Sequence, residues 1–365
     1  MNIQNKTIVG ISGIQGQLGQ HLAKFFQDNY PEFQIVGTIR HKTSDGVEKI
    51  IYDESKITYE LMDLSDQFSI ENLFIKYKFD FFFNTAANAF VGESWRLGAS
   101  HLLQNGLGVL YQLEAIKNHS PKTRYLNMGT SEEFAVCGKS EPQNEHTLIA
   151  PRSPYGCSKA YSRYSCDVYR ESFNLYVLQP WTFNFESILR PEKYLPRKVT
   201  KGVAKIYHQL KGGQDVTPIV LGNIYSYRSW QSPKDVASAL WRMLNQEKYN
   251  KKFKSGGLLS QNIKNYVISA EDTHSVKDFV RKAFDEAQIY GEWTGTDKNP
   301  LDNKFVKDTG EILVTISKEF YRPLDVTYLH GDPTSIKKDL EWKSEITFNQ
   351  IVSEMVANDI QNITI

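Results

Sequence analysis

Through the first half of the chain, short apolar, β-rich runs alternate with amphipathic runs whose apolar residues recur at helical spacing. "KTIVGIS" precedes "QLGQHLAKFFQD", "FQIVGTIR" follows, "ITYELMD" precedes "FSIENLFIKY", and "FDFFFNTAA" precedes "LLQNGLGVLYQLEAIKNH". "TRYLNMG", then "YSRYSCDVYRES", then "LYVLQPW" complete the series. Apolar strands alternating with helices predict a parallel sheet covered on both faces. After Trp181 the rhythm changes: the basic, proline-marked "NFESILRPEKYLPRK" opens a helix over "VTKGVAKIYHQL". Later segments are shorter and mixed, and "SIKKDLEWKSEITFNQIVSEMVAND" reads as two helices around a turn. The expected division is a sheet domain over 1–182, with parts of 222–260 returning to it, and a smaller mixed α/β lobe over 183–365.

Composition narrows the partners more than the fold. Lys+Arg 43 against Asp+Glu 42 leaves a formal charge of +1, so bulk electrostatics recommend neither nucleic acid nor an anionic membrane. Any anionic ligand must be met by a local basic cluster. Cys137, Cys157 and Cys166 are odd in number and unpaired in spacing, which argues against a disulfide framework or a zinc site and for a reducing compartment. The N-terminus lacks the apolar core of a signal peptide, and no window reaches about 18 unbroken apolar residues. A cytoplasmic protein with no bound metal is expected.

Three motifs carry candidate chemistry. In "VGISGIQGQLGQHL", Gly10, Gly13 and Gly16 follow a predicted strand and precede a predicted helix. Glycines there let the backbone turn tightly and approach a pyrophosphate, which the helix N-terminus favours; the alternative is a plain strand-to-helix turn. This context makes the predicted sheet a Rossmann-type doubly wound one. At the end of the second strand, where a ribose-binding acid would signal NAD, stands Arg40 with His41 and Lys42 beside it. A guanidinium suits a 2′-phosphate, so NADP is the expected cofactor. Asp63 ends the third strand, placed either to meet the adenine or to cap the next helix.

The second motif is "PRSPYGCSKAYS", where Tyr155 and Lys159 share one helix face. A phenol is a poor base at neutral pH, but a close ammonium is expected to lower its pKa. The third is Thr130-Ser131-Glu132 after the strand "TRYLNMG". Strand ends on that edge face the ligand crevice, where a hydroxyl can bond a substrate hydroxyl and a carboxylate can exchange protons with carbon. A helix cap is the structural alternative.

With these motifs in place the chain resembles the extended short-chain dehydrogenase/reductase superfamily and, within it, the GDP-mannose 4,6-dehydratase family. The more specific likeness lies in "FNFES" followed by "PRKVTKGVAKIY", in "LGNIYSYRSW" with "KDV", and in "VTISKEFYRPLDVTYLHGDPTSIKKDLEWK". The resemblance implies a 4,6-dehydratase acting on a GDP-sugar. Tyr155, helped by Thr130 and Lys159, would take the C4 hydroxyl proton while hydride passes to NADP; Glu132 would remove the C5 proton and help expel the C6 hydroxyl as water; the hydride would return to C6. It further implies that Gly10, Ser12, Gly13, Ile14, Gln15, Gly16, Arg40, Asp63, Leu64, Thr85, Ala86, Ala87 and Arg190, with Tyr155 and Lys159, hold NADP. Ser131, Asn184, Glu186, Lys198, Asn223 and Arg228 would line the nucleotide-sugar side.

Some positions depart from the family pattern. Ala89 and Phe90 stand for a polar pair, Phe185 for a histidine, and "SILRP" for "SPRRG", so GDP-mannose is the expected substrate with a changed hexose or a heptose as the alternative. The loop after Arg40 lacks the segment that helps build a tetramer in relatives, leaving a homodimer through helices 99–118 and 156–172 as the expected assembly and a tetramer as the alternative. Glu133, where the family is usually apolar, reads as a bystander. An epimerase or reductase would need Tyr155 and Lys159 but not Glu132, and a silent NADP-binding regulator would need neither.

Overall fold

The computed structural model describes residues 6–40, 49–135, 138, 141–254, 258–321, 324 and 326–363. Six parallel strands form the main sheet: β1 (Ile8–Ser12), β2 (Gln34–Ile39), β3 (Ile57–Leu61), β4 (Phe81–Asn84), β5 (Arg124–Asn127) and β6 (Val177–Leu178). Their order is β3-β2-β1-β4-β5-β6, the Rossmann-type order expected, with its switch point between β1 and β4. Ser12 pairs with Thr38 on one side and Asn84 on the other, so three strands end level at that point.

Helices cover both faces because their apolar positions recur once per turn. In α1 (Gln17–Asn29), Leu18, Leu22 and Phe26 lie at i, i+4 and i+8 and are buried against Val9, Ile11, Ile35 and Phe83. α2 (Gln67–Tyr77) covers the opposite face beside a longer helical stretch. That stretch is not the single α-helix its pattern predicts. After α3 (Val91–Ser94) and α4 (Gly98–His101) come a π-helical turn, Leu102–Leu107, and then α5 (Gly108–His119). The widened turn carries the Asn105 side chain, which accepts from Asn88 N–H and donates to Asn88 O, both at 2.9 Å. α6 (Pro154–Phe173) completes that face.

Pro180 divides the predicted strand "LYVLQPW", so its end becomes β7 (Trp181–Thr182) in a separate pairing. The remaining strands are short: β8 (Ile219–Leu221), β9 (Tyr227–Arg228), β10 (Val267–Ile268), β11 (His274–Ser275), β12 (Gly291–Thr294), β13 (Lys304–Lys307), β14 (Ile312–Ile316) and β15 (Tyr328–Leu329). They form small sheets β10-β7, β11-β9-β15 and β12-β13-β14-β8. α7 (Leu195–Lys211) packs with Val276–Glu286 and Phe348–Asn362 in a second core. α8 (Pro233–Met243) instead packs on α1, where the Trp241 ring meets Phe26 edge-on at 5.4 Å. Among the described residues no helix is long and apolar enough to cross a membrane, and no three His, Cys, Asp or Glu side chains gather as a metal would require.

Candidate active site

Beyond β5 the chain makes a single tight turn, Ser131–Glu133, capped by Thr130. The Thr130 Oγ1 accepts from Glu132 N–H at 3.3 Å, and the Glu133 carboxylate reaches back to accept from Thr130 N–H at 2.9 Å. Against this turn stands the start of α6, where Ser153 Oγ accepts from Gly156 N–H at 3.0 Å and Pro154 occupies the first helical position. The two segments touch at Gly156: a Cβ there would lie 2.5 Å from Glu132 O. Close approach brings Tyr155 and Lys159 beside Thr130 and Glu132, and all four line one cavity of about 1200 Å³.

Other walls come from distant parts of the chain. Gly16, Thr85 and Ala87 line the cavity from the ends of β1 and β4; Ser131, Asn184, Glu186, Arg190, Lys198, Asn223 and Arg228 line it too. A volume of this size exceeds what a single drug-sized ligand needs. Gly16 caps α1 with no side-chain partner for the first-turn N–H groups, and Gln17, Leu18 and Gly19 of that turn also face the cavity.

The remaining predicted cofactor residues lie off the wall. Gly13 adopts φ +63° and lies against Ala86, so the turn admits no side chain. Ser12 is buried, donating to Asn84 Oδ1 at 2.5 Å and accepting from Ala86 N–H at 3.1 Å, while Thr85 donates to Ser12 O. These bonds lock β1 to β4 and leave Ser12 a structural part in the site. Ile14 packs its side chain in the core, and its N–H donates to Thr38 O at 3.3 Å. Gln15 O accepts from Gln20 Nε2. Gly10 packs against Phe82, Arg40 is exposed at the end of β2, and Leu64 is buried after β3. Asp63 accepts from Ser65 N–H at 2.8 Å, and the helix cap is Asp66 instead. His41, Lys42, Cys137 and the loop that bears on a tetramer lie outside the described residues.

Electrostatics correct one expectation. Burial pushes the Tyr155 phenol above its ordinary range, with only the Thr130 hydroxyl bond working the other way; Lys159 is not among the groups that lower it. The same burial draws the Lys159 ammonium down to about 8, opposed mainly by Glu133. Lys159 Nζ donates to Met128 O at 2.7 Å. Desolvation is therefore the largest influence on both groups.

Glu133 is a second correction: it is fully buried and ion-paired with Arg163, itself 2% exposed. Its carboxylate is part of the site's framework. Arg163 lies four residues after Lys159 and eight after Tyr155 on one helical face, a spacing visible in the sequence that the motif reading passed over.

Arg190 and Glu186, assigned to opposite ligands, hold one another: Arg190 Nε donates to Glu186 Oε2 at 2.7 Å. Burial raises the Glu186 pKa and Arg190 opposes it. Burial also lowers the Lys198 pKa, against Glu319, and its Nζ sits 3.7 Å from the Phe320 ring centre. Arg228 Nη1 donates to Tyr227 O and Val326 O, both at 2.8 Å. Phe90 meets Tyr194 edge-on at 5.3 Å, and Phe185 lies under Arg190 at 5.3 Å, so both departures from the family pattern present aromatic surface to the cavity.

The family model described as GDP-mannose 4,6 dehydratase matches residues 11–355. The chain belongs to the GDP-mannose 4,6-dehydratase family. It is 32% identical to the GDP-mannose 4,6 dehydratase of Dictyostelium discoideum over 99% of this chain and 98% of that one. It is 30% identical to the human protein of the same description, over 98% and 92%. Among solved structures, the fold is shared with a dTDP-glucose 4,6-dehydratase of Bacillus anthracis solved with NAD, at TM-score 0.73 and 18% identity over 98% of this chain and 97% of that chain. A UDP-glucose 4-epimerase of Thermus thermophilus, complexed with NAD, matches at TM-score 0.75 and 17% identity over 98% and 100%. The sugar-nucleotide dehydratase and epimerase fold therefore extends over the whole family chain.

Proposed function

We propose that the protein is a sugar-nucleotide 4,6-dehydratase that converts GDP-mannose, or a close GDP-hexose or GDP-heptose, to the 4-keto-6-deoxy sugar with NADP. One observation carries the reading: Glu132 shares a cavity wall with Thr130, Tyr155 and Lys159. An epimerase or reductase has no use for that carboxylate, whereas elimination of water across C5 and C6 requires a base for the C5 proton.

The residues present fit a dinucleotide. Gly13 makes the tight turn, the uncapped first turn of α1 faces the cavity, and exposed Arg40 stands at the end of β2, suited to a 2′-phosphate. Bound NADP supplies a hydride acceptor and, later in the turnover, the same hydride to C6. Tyr155, hydrogen-bonded by Thr130, takes the C4 hydroxyl proton. Lys159 holds the segment through Met128 O. The C4 ketone acidifies the C5 hydrogen, which Glu132 removes before protonating the departing C6 hydroxyl. Lys198 and Arg228 provide cationic partners for the sugar's diphosphate. Phe90 and Phe185 favour a sugar whose nearby face asks for few hydrogen bonds.

Exposed apolar side chains on α6 and on the π-helical turn packed against it support a homodimer: Tyr164 and Val168 are both more than half exposed, and Leu102 and Leu103 are exposed too.

The deciding assay incubates purified protein with GDP-mannose, GDP-mannoheptose and dTDP-glucose and follows mass without added reductant. Loss of one water from a GDP-sugar is expected. Failure of every sugar to lose water would overturn the reading.

A further inference from the structure

We infer that Glu133 and Arg163 form a positioning pair for catalysis, a buried carboxylate and guanidinium that fix Thr130 and Lys159 relative to one another. The inference rests on the dehydratase reading and deepens it.

Both oxygens of the carboxylate are engaged. Glu133 Oε1 accepts from Thr130 N–H at 2.9 Å and from Gln179 Nε2 at 3.1 Å, and Oε2 accepts from Arg163 Nε. The same Gln179 amide donates to Lys159 O at 2.9 Å, and its Oε1 accepts from Asn127 Nδ2 at 2.7 Å and Ser162 Oγ at 3.1 Å. Arg163 is held in turn by Gln179 O at 2.7 Å and Pro180 O at 3.1 Å, with its Cζ 3.7 Å from the Trp181 ring centre. A continuous path thus runs from the Thr130 backbone through Glu133 and Gln179 to the Lys159 backbone. Glu133 bonds the Thr130 backbone directly and reaches the Lys159 backbone through Gln179, whose own carbonyl Arg163 holds.

The pair acts on charge as well as on position. The titratable groups facing Glu133 are Tyr155, Lys159, Arg163 and Cys166 from α6, with Glu132 on its own turn; the segment after β6 offers only neutral Gln179. The Glu133 charge raises the pKa of both Tyr155 and Lys159. Its removal lowers both, so both limbs of a pH–rate profile move to lower pH. Glutamine cannot substitute: it has one oxygen and one NH2, so either Arg163 or the Thr130–Gln179 donors would face another donor.

The test uses the full chain with NADP and GDP-mannose. Wild-type protein that fails to dehydrate any of the three sugars sinks the functional reading; a wild type that works leaves the pair to be judged on its variants. Glu133→Gln should lower kcat roughly 10- to 100-fold, the scale of a small misplacement of catalytic groups. KM and NADP affinity should stay within about twofold, as for interactions made only in the transition state. Both pH limbs should move to lower pH, and Glu133→Asp should recover part of the rate. Unchanged kcat and unmoved limbs in folded Glu133→Gln would overturn the inference. Should that variant fail to fold, the charge-balanced Glu133→Leu/Arg163→Leu protein decides: reduced kcat with shifted limbs supports the pair, and wild-type behaviour refutes it.

Discussion

Lys159 and Tyr155 are one helical turn apart, and burial drives them in opposite senses. Lys159 titrates at about 8 in the folded protein against an ordinary 10.5. Between those values the unfolded chain binds one more proton than the folded one, so stability from this group rises with pH across that window. Urea unfolding from pH 8 to 10 should show the rise, and Lys159→Met should flatten it; an identical slope in both proteins would contradict the assignment. Glu132→Gln should keep NADP binding while lowering kcat about 10²- to 10⁴-fold, the usual worth of a positioned acid or base. Exchange of the C5 proton with deuterated solvent should vanish with it. The register of Thr130, Glu132, Tyr155 and Lys159 was readable because each belongs to a short local motif. Glu133 was misread for a physical reason: residue type shows a charge, but only burial shows whether a partner waits across the fold.

At the scale of elements, the apolar spacing of α1 was enough to predict its buried stripe. Phe26 is fully buried between Phe83 and Trp241, at 5.5 and 5.4 Å between ring centres. Phe26→Ala should cost about 3–5 kcal/mol of unfolding free energy, as large-to-small core changes do. Because Phe26 lies in the core and off the cavity wall, NADP affinity in the remaining folded protein should hold; a selective loss of binding without loss of stability would contradict this placement. The π-helical turn at Leu102–Leu107 was not legible. Its apolar pattern reads as helix either way, and the widening answers to Asn105 bonding the Asn88 backbone, a contact seventeen residues distant. The break at Pro180 was also missed: "LYVLQPW" reads as one strand, but a residue without an N–H ends the ladder there and β7 joins β10 instead.

Across the whole molecule, the cavity exists because segments far apart in the chain meet at the carboxyl edge of the sheet. Lys198, Asn223 and Arg228 reach it from the C-terminal lobe, while α8 crosses back to pack on α1. The buried Arg197–Asp359 pair at 2.5 Å ties α7 to the last helix behind that wall. The proposed dimer predicts that Tyr164→Glu/Val168→Glu, which charges the exposed apolar face of α6, sediments as a monomer; a variant that still sediments as a dimer would remove this face from the interface. By itself the sequence determined what is local and periodic: the alternation that makes a doubly wound sheet, the glycine turn, and the motifs whose Thr130, Glu132, Tyr155 and Lys159 line one cavity. Tertiary structure decided what depends on neighbours across the fold: the mutual pairing of Arg190 with Glu186, the raised phenol and lowered ammonium, and the burial that gives Glu133 its partner. Hydrogen-bond satisfaction and desolvation are properties of assembled surroundings, and no spacing along one chain encodes them directly.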